Sequence, residues 1–186
     1  GAPPISIFLK PPGVMAPGGS ATICCSWQGG RGQLELHKDG QRLRAPGQGG
    51  GSAEFTISNA SFGDRGTYRC HGLAAGTLLA RSEDLDVMVQ ELLLPAPALS
   101  VLPAAEVPAG SGVSLRCSSA LPAARCWLYL EGRNAVLDVL SQHQETFNIS
   151  HAREGDGGRY SCQCFQRAEA SFRYSAASRP LELVVR

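Results

Sequence analysis

The sequence predicts an all-β chain of two tandem β-sandwich domains, residues 1–91 and 92–186, and three observations carry that expectation. The first is an internal repeat: Cys117 and Cys162 reproduce the 45-residue spacing of Cys25 and Cys70 at an offset of 92. A duplication of this length fixes the architecture before any strand is assigned. The second is alternation. Ala21, Ile23 and Cys25 alternate with Thr22 and Cys24, and Val113, Leu115 and Cys117 with Ser114 and Arg116, the period of two that turns one strand face to a core. The third is that no window sustains an apolar stripe with a period of 3.6 residues, so helices should be limited to single turns.

The remaining strands follow from the same period. Leu34–His37, Glu54–Ile57, Leu85–Val89 and Leu181–Val185 alternate, and Pro17-Gly18-Gly19, Lys38-Asp39-Gly40 and the glycine-rich run from Gly47 to Ser52 separate them as turns. Asp64-x-Gly66-x-Tyr68-x-Cys70 returns as Asp156-x-Gly158-x-Tyr160-x-Cys162. In immunoglobulin sandwiches the tyrosine two residues before the second cysteine forms a corner, its hydroxyl bonding back to the chain upstream. Two such motifs, each 45 residues after a cysteine on an alternating strand, predict immunoglobulin-like (C2/I-type) domains with Tyr68 and Tyr160 at the corners. Cys25–Cys70 and Cys117–Cys162 then bridge the sheets, which implies an oxidising compartment and the secretory pathway. A zinc site would need four ligands at short spacing, and Cys70-His71 or Cys162-x-Cys164 do not supply them.

The other cysteines are placed by parity. Cys126 lies two residues before Leu128 and Cys164 two after Cys162, so both face inward on antiparallel neighbours and a second bridge between them is expected, two buried thiols being the alternative. Cys24 has the opposite parity to Cys25 and should face outward as a thiol outside the bridges. An inert, shielded side chain is the simpler reading and a disulfide-linked dimer the functional one, so the chain is expected to be a monomer or weak dimer. Asn59-Ala60-Ser61 and Asn148-Ile149-Ser150 are glycosylation sequons.

Charge excludes some partners. The net charge is +1, with 8 basic and 8 acidic residues in 1–92 and 9 against 8 in 93–186, so neither half attracts nucleic acid. The longest apolar stretch, Leu92 to Val107, is interrupted by Pro95, Pro97 and Pro103 and is shorter than the ~20 residues that span a bilayer. Gly1-Ala2-Pro3-Pro4 has no charged region followed by an apolar core, so a mature product or excised ectodomain is expected. His37, His71, His143 and His151 fall in no nucleophile or metalloprotease pattern, and the glycines near residue 50 precede no Lys-Ser/Thr. No enzymatic activity, cofactor or metal is expected.

Leu36 and Leu128 stand where immunoglobulin domains usually place a tryptophan, each followed by an Asp/Glu-Gly turn, and the last strand reads Pro180-Leu181-Glu182-Leu183-Val184-Val185. With Ile23-Cys24-Cys25, Ser114 to Ala120 and Phe172-Arg173-Tyr174-Ser175, the chain resembles the receptors of the leukocyte receptor cluster: killer-cell and leukocyte immunoglobulin-like receptors, the IgA Fc receptor, natural cytotoxicity receptors and the platelet collagen receptor. It departs from them in lacking Trp-Ser-x-Pro-Ser before the last strand, where the first copy reads Leu79-Ala80-Arg81-Ser82. The resemblance implies the extracellular, membrane-anchored ligand-binding part of a receptor for a class I histocompatibility-like molecule, an immunoglobulin Fc or collagen, or else a secreted plasma protein of the same branch. It also implies two alternative contact sets. One gathers Lys38, Gln41, Arg65, Arg125, Arg167 and Phe172 at an elbow between the domains; the other gathers Trp27, Arg31 and Leu73 to Leu78 at the far tip of the first. The leucines Leu92-Leu93-Leu94 are expected to pack between the domains and fix them in a bent arrangement. Trp127 and Tyr129 should lie exposed on the outer face of their sheet as interface anchors, coverage by sugar or arginine stems being the plainer alternative. Arginine outnumbers lysine 15 to 2, which favours bidentate and stacking contacts.

Overall fold

The computed structural model describes residues 3–44 and 50–186; Gly1, Ala2 and the Gly47–Gly49 part of the expected turn lie outside them. The chain divides into two compact units, Gly1–Glu91 with Gly132–Asn134, and Leu92–Glu131 with Ala135–Arg186. In the first, β1 (Ile5–Lys10), β2 (Ala21–Trp27) and β5 (Ser52–Ile57) form one sheet, in the order β1-β2-β5. The facing sheet runs β4 (Gln41–Arg44), β3 (Gln33–Lys38), β6 (Gly66–Ala74) and β7 (Thr77–Arg81), with β8 (Leu85–Val87) also paired to β6. The second unit repeats the plan. β9 (Ala98–Leu102), β11 (Val113–Ser118) and β14 (Thr146–Ile149) make one sheet. β10 (Glu106–Val107), β17 (Leu181–Val185), β15 (Gly158–Ala168), β12 (Arg125–Leu130) and β13 (Asp138–Leu140) make the other, with β16 (Ser171–Tyr174) on β15. Helical structure among the described residues is confined to the 3-10 turns Phe62–Asp64 and Glu154–Asp156.

Alternation is what lets these strands enclose a core. Along β2 the burial pattern places Ala21, Ile23, Cys25 and Trp27 inside, and along β11 it places Val113, Leu115 and Cys117 inside. Cys25 of β2 joins Cys70 of β6, and Cys117 of β11 joins Cys162 of β15, so each bond ties the two sheets of its unit. Leu36 and Leu128 are the register partners of Cys70 and Cys162 and are almost fully buried. A third bond joins Cys126 and Cys164, which stand directly opposite each other on β12 and β15. Cys24 belongs to none of these bonds and is half-buried on the other face of β2, between Phe8 and Glu54.

The repeated Asp-x-Gly-x-Tyr-x-Cys motif is one connected device. The Asp64 carboxylate accepts the Ser61 N–H at 2.8 Å and closes the 3-10 turn, while its carbonyl accepts the Tyr68 hydroxyl at 2.6 Å. Asp156 does the same for Arg153 N–H and Tyr160 O–H. Gly66 and Gly158 turn the chain into the strand at φ 156° and 147°, where a side chain is strained; at Gly66 a Cβ would also meet the Asp39 carboxylate at 2.8 Å. Burial, with the carboxylates of Asp64 and Asp39 nearby, pushes the Tyr68 hydroxyl up to about 12, so it stays a donor across the physiological range. Tyr160→Phe leaves the Asp156 carbonyl without this donor and should cost about 1 kcal/mol of stability, read from urea unfolding.

The last strand of each sandwich is split, and serines hold the break. Ser82 Oγ accepts the Cys70 N–H and Ser178 Oγ the Cys162 N–H, each at 2.9 Å, while Ser175 Oγ accepts the Cys164 N–H at 2.9 Å. In the second unit this preserves two serines three residues apart although the surrounding Trp and Pro are replaced. Two expectations need correcting. The fifth alternating run ends as a strand at Val87, Val89 instead bridging Met15 in parallel. Leu92, expected to be packed away, is 77% exposed. Leu93 and Leu94 are half-buried, and Leu94 is held by its backbone as well: its N–H donates to the Tyr174 carbonyl and its own carbonyl accepts from Ala176 N–H, both at 2.8 Å.

Candidate ligand-binding surfaces

At the end of the first unit where β2 finishes and β3 begins, the segment Gln28–Gln33 and the β6–β7 hairpin enclose an open cleft of about 690 Å³. Trp27, 8% exposed, forms its wall rather than an exposed tip, because it shares the inward parity of Cys25. Glycines allow the fit. A Cβ at Gly30 would lie 2.0 Å from the indole, one at Gly72 2.7 Å from it, and one at Gly32 1.9 Å from the Leu73 carbonyl oxygen. The rim is mixed. Arg31 is exposed, Leu79 is 59% exposed within the cleft lining, and Leu78 is 40% exposed beside it. Cation, aromatic wall and an open leucine in one concavity are the ingredients of a protein-contact site.

The opposite end of β3 holds Lys38, Gln41 and Arg65. Lys38 and Gln41 are register partners across the β3–β4 turn, Lys38 Nζ donates to the Gly63 carbonyl, and Arg65 lies over the Phe62 ring at 5.0 Å. Arg125, Arg167 and Phe172 collect at one end of the second unit, Arg125 opposite Phe165 and Arg167 opposite Phe172. Phe172 is 45% exposed. Each half of the elbow set is thus grouped within its own unit.

Trp127 and Tyr129 point to the outer face of β12, as their parity requires, but they are half-buried rather than exposed. Their cover is aromatic. Trp127 packs on Phe165 at 4.6 Å and Tyr174 at 5.7 Å between centroids, and Phe165 meets Phe172 edge-on at 5.8 Å. Burial, and secondarily Tyr174, raises the Tyr129 hydroxyl above its ordinary range. Alternation gave the face; the covering rings come from β15 and β16, which are distant in sequence. Asn59, in the turn after β5, and Asn148, on β14, are both exposed.

A further cluster lies on the outer face of β3 and β6, where the His37 and His71 rings stack with centroids 3.7 Å apart. The Sγ atoms of Cys117, Cys126 and Cys164 also fall within 4.8 Å of one another, but all three are in disulfides.

An immunoglobulin-domain family profile matches residues 11–77. Human Fc receptor-like A is 32% identical over 139 residues, covering 70% of this chain and 37% of the relative. A human killer cell immunoglobulin-like receptor-like protein is 33% identical over 145 residues, covering 72% and 40%. The chain is built of immunoglobulin-like domains and is similar to these receptors. Human immunoglobulin superfamily member 1 is 29% identical over 92% of the chain, which spans 13% of that protein. Among solved structures, the human OSCAR ligand-binding domain covers 98% of the chain at 29% identity with a TM-score of 0.46. The chain spans well under half the length of each of these sequence relatives.

The residues that sequence reasoning did not single out are Phe165 and Tyr174, which complete the aromatic cluster, and Leu79 and the glycines of the cleft. Their signal was only partial. Phe165 follows Cys164 and so has outward parity on the same strand, but nothing local tells which ring on β12 it will meet.

Proposed function

We propose that residues 1–91 and 92–186 are two immunoglobulin-like domains of the ligand-binding ectodomain of a cell-surface leukocyte receptor, delivered through the secretory pathway. The ectodomain recognises a protein ligand, a class I histocompatibility-like molecule or an immunoglobulin Fc, to regulate immune-cell activation. The cleft walled by Trp27 is the observation that carries this reading. It joins an exposed cation, Arg31, to the open leucine Leu79 on loops fixed by glycine packing against an indole, a rigid, partly apolar surface of the kind that supplies binding hot spots. The bonds tying the sheets fit an oxidising extracellular site. The cleft offers positioned contacts and no nucleophile–base pair among its lining residues, so binding rather than catalysis is its work.

The test is an Fc fusion of residues 1–186 screened against histocompatibility proteins, immunoglobulins and triple-helical collagen peptides. With the ligand found, Arg31→Glu and Leu79→Asp should each weaken binding at least ~30-fold, the size of a hot-spot loss, while Arg167→Ala and Phe172→Ala leave it within ~threefold. The reverse pattern assigns recognition to the second unit and rejects the cleft.

A further inference from the structure

Glu35 and His37 lie two residues apart on β3, and His71 of β6 is the register partner of Glu35, so all three project from one face of the same strand pair. The His37 and His71 planes are 20° from parallel. His37 Nε2 faces Glu35 Oε1 at 3.3 Å, and these two side chains are only 16% and 14% exposed. Three guanidiniums surround them. Arg42 of β4 reaches Glu35 Oε2 at 3.3 Å, Arg69 of β6 holds Asp84 at 2.6 Å, and Arg81 of β7 is the register partner of His71. Before either imidazole takes a proton, three cations already stand against the carboxylates of Glu35 and Asp84.

We infer that the stacked imidazoles form an acid-operated latch on the β6–β7 hairpin, closed while they are neutral and opened by protonation. Like charges directly opposite in an antiparallel pair oppose the pairing. A protonated His71 stands opposite Arg81, against the His37 ring and beside Arg69 on its own strand. β7 has no further neighbour in the sheet order, and its ladder to β6 is already irregular between Gly72 and Leu73. The charge therefore falls where the hairpin is weakest.

Burial, then the His37, Arg81 and Arg69 charges, lower the His71 pKa from its ordinary value, with Glu35 opposing. The unfolded chain, titrating near ~6.5, then binds more protons than the folded one in the window below that value. Stability supplied by the neutral His71 is present above that pH and lost as pH falls through it.

The hairpin lines the cleft, so for its functional consequence the inference rests on the cleft being the ligand site: acid would then release ligand. The structural claim does not need that reading. Hydrogen exchange on the intact chain at pH 7.5 and 5.5, corrected for intrinsic rates, should show protection of residues 72–81 falling several-fold, with a ceiling of roughly tenfold because pH 5.5 lies about one unit below the unfolded value of ~6.5. Protection of β12 in the second unit should stay unchanged as the internal reference. His71→Gln should abolish the pH response. In the wild-type chain, imidazole NMR should show His71 taking up its proton below its ordinary range. Unchanged protection between the two pH values, a response that survives His71→Gln, or a His71 resonance that titrates in its ordinary range would overturn the latch. If Arg31→Glu and Leu79→Asp leave ligand binding intact while the exchange result holds, the cleft reading fails and the latch stands.

Discussion

Replacing Cys25 and Cys70 together by alanine is expected to lower the stability of the first unit by about 4 kcal/mol, the entropy a 45-residue loop regains in the unfolded chain. Domains of this size are stable by only ~5–15 kcal/mol, so the unit should be largely unfolded at moderate denaturant. Cys24 does not rescue it. It sits on the opposite face of β2 from Cys25, and reaching Cys70 would require flipping the strand. The second unit behaves differently. Cys117→Ala with Cys162→Ala leaves Cys126–Cys164 in place, so the lost bond closed only the short stretches from 117 to 126 and 162 to 164; the unfolded chain stays restricted and the loss should be about 3 kcal/mol, roughly two-thirds as large. The single variant Cys162→Ala has its own outcome. The Cys117 sulfur lies 3.9 Å from that of Cys164, within reach for thiol–disulfide exchange that forms Cys117–Cys164 and releases Cys126 as the thiol. Guanidinium unfolding of each variant, with peptide mapping of the surviving bonds, checks all three statements; equal losses in the two units would contradict the loop argument.

The duplication and the sandwich fold were legible because their signals are local. The Asp-x-Gly-x-Tyr-x-Cys run contains its own turn cap, its left-handed glycine, its corner hydroxyl and its bridging cysteine, all within seven residues. The candidate site was legible only in part. Parity alone put Trp27 inside with Cys25, yet its position beside a loop made it read as a tip residue, and only the packing of Gly30, Gly32 and Gly72 around it shows why it is buried. Trp127 and Tyr129 were placed on the right face, but their cover depends on the register of Arg125 with Phe165, a pairing of residues 40 apart. The His37–His71 stack is of the same kind: two unremarkable outward positions on different strands become a site only once the register is known. Leu92 shows the converse: of three apolar residues in one run, only Leu93 and Leu94 are half-buried and Leu92 is left in solvent, a difference composition alone does not reveal.

Trp27→Ala should have the other large effect, about 3–5 kcal/mol of stability with loss of ligand binding, because the indole is both core and cleft wall. Its backbone also organises the neighbouring loops: the Trp27 N–H donates to the Gly51 carbonyl, and Gly30 N–H donates to the Trp27 carbonyl at 3.2 Å. The three glycines make the substitution hard to absorb. Having no side chains, they cannot lean into the space the ring leaves, so the cavity stays open or the loops collapse into it, and either result removes the cleft. Gly72→Val pushes on the same ring from the other side, a Cβ meeting it at 2.7 Å, and should cost about 1–3 kcal/mol on its own. Combined with Trp27→Ala, the valine enters the vacated volume. The double variant should therefore be more stable than the sum of the single losses predicts, with a coupling of roughly 1–2 kcal/mol between contacting sites. Urea unfolding of the four members of the cycle measures that coupling. Strict additivity would mean that the glycine and the indole do not share the space the geometry gives them, and the cleft wall would have to be sought elsewhere.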